Sequence, residues 1–226
     1  MIMSKELDRQ SNYVITIGRQ FGSGGRELGK MLAQKLGIEY YDKRLLAEAA
    51  AASGLSPEMV ERHDERVPDL MGSSVGFNMG YGQLPWYNGM AMMSDSISNC
   101  LSDIITSLAD TKPCVIVGRT ADYILRDHPV AKVSLFVHAP IQERVKRIMA
   151  RMDKTQESSA RSLANKTDKL RAAYYNFYTD RRWGDSATYD LTFDSSLLPM
   201  EDICDLVAEY IRRRFTIEPV RGGKKA

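Results

Sequence analysis

Short β-branched runs alternate with helical stripes along this chain. Tyr13-Val-Ile-Thr-Ile17 reads as a buried strand. A glycine-rich turn follows. Leu28, Met31, Leu32, Lys35 and Leu36 then space out an amphipathic helix that Gly37 closes. Residues 38–41 form a second short strand, ending at Asp42. Residues 43–53 are Ala-rich and helical, stopped by Gly54. Ser56-Pro57 supplies an N-cap and a first-turn proline for a short helix to about His63. From Ser94, residues Ile97, Leu101, Ile104, Ile105 and Leu108 share a helical face until Lys112-Pro113 breaks it. Cys114–Val117 and Lys132–Val137 read as the third and fourth strands. Pro140 opens a helix to about Met152, and a long polar helix runs from about Gln156 to Asp180. Tyr189–Asp194 is a fifth strand. Pro199 opens a last helix with Ile203, Leu206, Val207, Tyr210 and Ile211 facing in. Strands alternating with helices predict an α/β fold, a parallel sheet with helices on both faces. In such sheets ligands sit at the carboxyl ends of the strands.

Residues 68–93 interrupt the alternation with five Gly, two Pro, five Met and little charge. They read as an irregular insertion, either a flap over a site or a disordered loop. The organisation expected is an N-terminal extension (1–12), one domain (13–212) and a basic tail (213–226). No internal repeat is visible.

Composition narrows the function classes. With 31 Lys and Arg against 29 Asp and Glu the net charge is +2, so bulk charge points to neither nucleic acid nor membrane. No stretch reaches the roughly 18 to 20 apolar residues of a membrane span, and Met1 to Asn12 is too polar for a secretory signal. Cys100, Cys114 and Cys204 lie too far apart for a metal knuckle and are odd in number, so buried thiols in a cytoplasmic setting are expected. His63, His128 and His138 form no nucleophile–acid arrangement and are assigned surface or core roles.

The turn Gly18-Arg-Gln-Phe-Gly22-Ser-Gly24-Gly25-Arg-Glu27 joins a strand to a helix. Its glycines let backbone amides converge, and the helix start adds positive potential, so a phosphate is favoured there. Two families use this geometry, the P-loop kinases and the dinucleotide-binding fold. Gly18-x-x-x-Gly22-x-Gly24 is similar to the glycine pattern of short-chain dehydrogenases, and Asp42 lies about 20 residues on, where an acid can bind a ribose hydroxyl. Those enzymes use a Tyr followed four residues later by Lys. Here Tyr40 meets Arg44, Tyr123 meets Asp127 and Tyr174 meets Tyr178.

Several segments in order resemble the cytidylate kinase-like family. They are residues 14–27, Tyr41-Asp-Lys-Arg-Leu-Leu46, Val117-Gly-Arg119, the Glu143-Arg144 helix, Asp168-x-x-Arg171, Trp183-Gly-Asp185 and Tyr189-Asp-Leu191. The resemblance spans most of residues 13–212. It implies a P-loop NTPase-type three-layer α/β/α fold with five parallel strands, a helical lid at about residues 150–182 and an inserted flap. It also implies ATP with Mg²⁺ and phosphoryl transfer to a pyrimidine nucleoside monophosphate, CMP or dCMP. The pattern departs from that family in three places. Gly25 stands where a P-loop lysine would, Glu27 where the magnesium-binding hydroxyl would, and Thr120 where an Asp follows the third-strand Gly-Arg.

Residues 143–182 contain eleven Lys or Arg and five acids, a local balance of +6. Arg144, Arg147 and Arg151 share one helix stripe. Phosphoryl transfer needs charge neutralisation and alignment more than covalent chemistry, and arginine suits phosphate oxygens through its planar fork. The residues expected to bind ATP are Gly22, Ser23, Gly24, Gly25, Arg26, Glu27, Arg147 and Arg181, with Glu27 also facing Mg²⁺. Arg26, Asp168 and Arg171 are the expected catalytic group, Asp168 orienting Arg171 from one helical turn away. Asp42, Arg44 and Arg119 are the expected acceptor clamp. The alternatives are a solvated surface charge for each residue of the basic segment, a tight structural turn for the glycines, and a helix N-terminus capped by Asp42 for Asp42-Lys43-Arg44. Expected partners are small nucleotides, without nucleic acid or membrane and with an oligomer left open. The rival functions are a nucleotide-binding regulatory module without turnover and a Rossmann-type NAD(P)-dependent oxidoreductase.

Overall fold

Five strands pair in parallel in a computed structural model that describes residues 12–42, 85–152 and 156–215, with side chains from Ser98 onward in the second of these segments. They are β1 (Tyr13–Arg19), β2 (Glu39–Tyr41), β3 (Cys114–Val117), β4 (Ala131–His138) and β5 (Leu191–Asp194), in the spatial order β2-β3-β1-β4-β5. Register puts Ile17 beside Val117 and Leu135, so the chain leaves β1 flanked by the ends of its two neighbours.

Successive side chains of a strand point to opposite faces. Ile15 and Ile17 of β1, with Val115, Val117, Val133 and Leu135, bury against Leu28 and Leu32 of α1 (Gly25–Leu36) and Ile203, Val207 and Ile211 of the last helix. Val14, Cys114 and Ile116 bury on the other face against Ile105 and Ala109 of α2 (Pro85–Thr111) and Leu125. Both faces are covered, which is why these strands read as continuous apolar runs instead of alternating ones. The remaining helices are α3 (Ala121–Ile124), α4 (Ile141–Arg151), α5 (Glu157–Thr179) and α6 (Met200–Phe215).

Three differences from the sequence reading have physical causes. Helix α2 starts at Pro85, nine residues inside the segment read as irregular. Proline is well placed at a helix start, and the lone Gly89 within costs only about 1 kcal/mol against the Ala and Met around it. Leu206 faces solvent at 63% exposure, so the inward stripe of α6 is Ile203, Val207 and Ile211 with Ala208. The fifth strand begins at Leu191 because the Asp190 carboxylate takes the Ser134 amide at 2.7 Å and its hydroxyl at 2.8 Å in place of a backbone carbonyl. The helices read at 43–53 and 56–63, the flap at 68–84, Arg44, and the N- and C-terminal segments lie outside the described residues.

Candidate active site

The turn between β1 and α1 is held in one shape by its glycines and by groups from outside it. Gly22 (φ 79°) and Gly24 (φ 86°) adopt left-handed backbone that L residues avoid. A Cβ at Gly22 would also lie 2.9 Å from the Arg144 carbonyl oxygen. Gly24 caps α1, and the first helical bond runs from the Leu28 amide to the Gly24 carbonyl at 2.9 Å. The amides of Gly25, Arg26 and Glu27 precede that bond. They have no intrahelical acceptor and sit at the positive end of the helix, the arrangement that cradles phosphate. Ser23 is fully buried with its Oγ 2.9 and 3.0 Å from the Gln20 and Val137 carbonyls, so its hydroxyl serves the shape of the turn.

The carbonyls of alternate turn residues each receive an arginine. Arg171 of α5 donates to the Arg19 carbonyl at 3.3 Å, Arg144 of α4 to Phe21 at 3.3 Å, and Arg147 to Ser23 at 3.0 Å. Arg151 pairs with Glu27 at 2.7 Å. The α4 arginine stripe therefore lies along the turn. Cationic donors on the carbonyl side bring positive charge to a turn that lacks the usual lysine, and they fix which way the peptide groups point. Arg147 was expected on a phosphate, but its fork also holds the Ser195 carbonyl at 2.7 Å and Oγ at 2.9 Å. The structure thus shows it bracing the backbone. Ser195 is fully buried and lies 2.5 Å from the Ser23 carbonyl. A single Ser after a strand carries no sequence signal for such a role.

Asp168 joins α5 to this turn. One carboxylate oxygen accepts the Phe21 amide at 2.7 Å and the other accepts Arg144 at 2.5 Å. Burial raises its pKa above the ordinary value, opposed by the Phe21 amide and the Arg144 charge. Asp168 was expected to orient Arg171. Its hydrogen bonds among the described residues go to Arg144 and Phe21, and Arg171 acts on it through its charge.

Arg26 and Asp42, expected on opposite sides of the reaction, meet each other. The Arg26 Nε donates to Asp42 Oδ2 at 2.7 Å, and Tyr40 reaches the same oxygen at 3.3 Å. Asp42 is buried and Arg26 is exposed. Burial and the Asp42 charge push the Tyr40 hydroxyl up to about 12. Arg181 lies at the far end of α5 with its guanidinium 5.4 Å from the Tyr123 ring centre, so the structure places it beside α3.

Beyond the turn, at the ends of β1 and β3, a cleft opens under α5. Among the described residues Arg19, Arg119 and Arg171 line it, against one acid, Asp122. Tyr174, Tyr175, Trp183 and Tyr189 make an aromatic wall. Arg119 is 4% exposed and holds left-handed backbone (φ 60°), as does Thr120 (φ 51°). Strained non-glycine backbone of this kind persists where the surroundings over-determine it. Tyr175 donates to Asp122 at 2.6 Å.

Burial raises the Asp122 carboxyl above its ordinary 3.8, against that hydrogen bond. A raised acid binds its proton more tightly in the folded state, so stability falls as the pH rises through the folded pKa. Asp122→Asn keeps an oxygen for Tyr175 and is expected to flatten this part of the curve. Thermal melts from about pH 4 to 7 measure it, since the linkage acts only where the protonation of the two states differs. Parallel curves for the two proteins would remove Asp122 from the pH dependence.

A glycine turn feeding a helix N-terminus, in a parallel sheet ordered 2-3-1-4-5, defines a P-loop kinase-type domain. The order also counts against the dinucleotide reading. That fold sets β2 beside β1, whereas β3 separates them here, and Asp42 at the end of β2 is spent on Arg26. The chain belongs to the cytidylate kinase-like family, which it matches over residues 14–197. Cytidylate kinases of Pyrobaculum aerophilum and Pyrobaculum islandicum are each 23% identical to it, over 87% and 88% of this chain and 91% and 92% of theirs. The crystal structure of an uncharacterized protein from Eubacterium ventriosum is 28% identical with a TM-score of 0.64, covering 88% of this chain and 98% of that one. Family membership makes the coarse activity kinase-type phosphoryl transfer. Among the described residues no helix is long and apolar enough to cross a membrane.

Proposed function

We propose that this chain transfers the γ-phosphoryl group of ATP to a pyrimidine nucleoside monophosphate, CMP or dCMP. The observation that carries the reading is the cleft with Arg19, Arg119 and Arg171, opening at the strand ends beside the glycine turn. Three guanidiniums beside an aromatic wall suit an acceptor that is anionic at one end and a flat ring at the other. The similarity to the Pyrobaculum cytidylate kinases supports the choice of base.

ATP supplies the transferable group, and Mg²⁺ offsets the charge of its phosphates. The residues fit the nucleotide: amides 25–27 at the start of α1 face the turn, and the left-handed glycines leave room for close approach. For Mg²⁺ the fit rests on Glu27, a half-exposed acid in the first turn of α1 that would exchange Arg151 for the ion. Mg²⁺ keeps several waters and needs only one or two carboxylates beside the phosphates. In the reaction, Arg171 spans the turn and the cleft and aligns the two phosphates. Arg119 clamps the acceptor. Arg26 supplies the cation nearest the absent lysine, and Asp42 holds it in place. Asp168 and Arg144 lock α5 down and exclude water.

Arg26→Ala is expected to lower kcat/KM at least tenfold, about 1.4 kcal/mol of barrier. An unchanged value would remove Arg26 from the mechanism. A second reading, ATP binding without turnover, draws on Arg26 and Glu27 being already paired with Asp42 and Arg151. ADP release over a panel of nucleoside monophosphates separates the two. Acceptor-dependent turnover supports transfer, and ATP binding with no turnover on any acceptor supports the regulatory reading.

A further inference from the structure

The cleft ends in a polar cluster that the transfer step does not use. The Tyr189 ring packs on Phe136 with centroids 5.0 Å apart and lies so close to Gly18 that a Cβ there would come within 3.3 Å of its hydroxyl oxygen. Phenylalanine would fill this place equally well. Yet Tyr189 is only 8% exposed, lines the cleft, and among the described residues no group meets its hydroxyl in full hydrogen-bond geometry, the Tyr175 hydroxyl and the Gly184 backbone being looser polar neighbours. A buried hydroxyl without a partner costs stability. Asp122 and Tyr175, joined at 2.6 Å, line the same cleft, and Tyr175 lies 6.5 Å from Tyr189 between ring centres. One acid and two phenols set against three arginines divide the cleft into a cationic and an acceptor-rich part.

We infer that Asp122, held by Tyr175, and Tyr189 select the phosphate acceptor by accepting a hydrogen bond from its amine or hydroxyl, while its anionic end lies on Arg19, Arg119 and Arg171. This rests on the cleft being the acceptor site of the proposed function. Asp122 accepts the N–H or O–H, and the buried Tyr189 hydroxyl completes the set. Tyr175 orients the carboxylate by donating to its other side. An acceptor with a carbonyl oxygen in that place would face the carboxylate with no proton between them, and would be rejected. The donor can come from the base amine of CMP or from a sugar hydroxyl.

Calorimetric binding and steady-state kinetics of the wild type, Tyr189→Phe and Asp122→Asn with CMP, UMP and dCMP test this. Tyr189→Phe should keep or raise the melting temperature, because it deletes a buried hydroxyl that no described group meets in full hydrogen-bond geometry. It should weaken CMP binding and raise the CMP KM at least fivefold, with ATP affinity unchanged. A merely structural role would lower the melting temperature and leave KM alone. Asp122→Asn should shrink the preference for CMP over UMP at least tenfold if the base amine is read, or for CMP over dCMP if the sugar hydroxyl is read. A folded Tyr189→Phe with unchanged CMP affinity, or an Asp122→Asn with both ratios unchanged, overturns the inference. If CMP binds, the variants weaken it as stated, and no acceptor is turned over, the transfer reading fails and the selection stands. If turnover occurs and the variants are indistinguishable from wild type, only the selection fails. Absence of binding by every monophosphate sinks both.

Discussion

Arg171→Ala is expected to lower kcat/KM for phosphoryl transfer at least a hundredfold, about 2.7 kcal/mol of barrier. Arg171 both donates to the turn, at the Arg19 carbonyl, and lines the cleft proposed for the acceptor. It is therefore the group placed to neutralise charge where two phosphates must approach each other. Electrostatic stabilisation and alignment supply nearly all the catalysis available to such a reaction. The loss should fall on kcat as well as KM, since the interaction strengthens as charge spreads over the transferring oxygens. Lysine at this position should recover only part, because it lacks the planar fork. Steady-state rates of the three proteins decide. An alanine variant within threefold of wild type would make Arg171 a packing residue, held by its contact with the turn and its place 5.7 Å over the Phe21 ring.

Arg144→Ala is expected to be the most destabilising change in the site, by about 3–5 kcal/mol. Its side chain and that of Asp168 are 8% and 14% exposed, so deletion strands a buried carboxylate that holds the Phe21 amide. At about 2–4 °C per kcal/mol for a domain of this size, the melting temperature should drop by roughly 10 °C. Neutralising the survivor should help. Arg144→Met with Asp168→Asn should recover part of the loss, because Asn still accepts the Phe21 amide and no buried charge is left unpaired. Urea and thermal unfolding of the single and double variants give the coupling. A single variant within about 1 kcal/mol of wild type would show the pair to be solvated in practice, as surface pairs are.

The strands and most helices were legible because they depend on local pattern. Runs such as Cys114–Val117 have no polar alternation, and Gly37 and Pro140 mark ends by backbone chemistry alone. Helix α2 was read short because Gly89 and Pro85 look like breakers when the helix that tolerates them is not in view. The glycine turn and the α4 arginine stripe were also readable, being local periodicities. What each arginine touches was not. Arg147 meets Ser23 and Ser195 across 124 and 48 residues, and Arg26 meets Asp42 across 16. Such pairings follow from strand order, which no window of sequence contains. Asp122 carries no sequence signal for the same reason, and Tyr189 reads only as the start of a strand and of the Tyr189-Asp-Leu191 segment. Each looks ordinary in its own segment, and only the shared cleft brings them together.

In the proposed function the arginine-lined cleft delivers a nucleoside monophosphate to the nucleotide held at residues 22–27. Its most direct test is ADP formation from ATP and Mg²⁺ as CMP is titrated, with the second product identified. Saturable ADP release in equal amount to CDP is the predicted result. ADP released at the same rate with and without CMP, dCMP or any other monophosphate would contradict it.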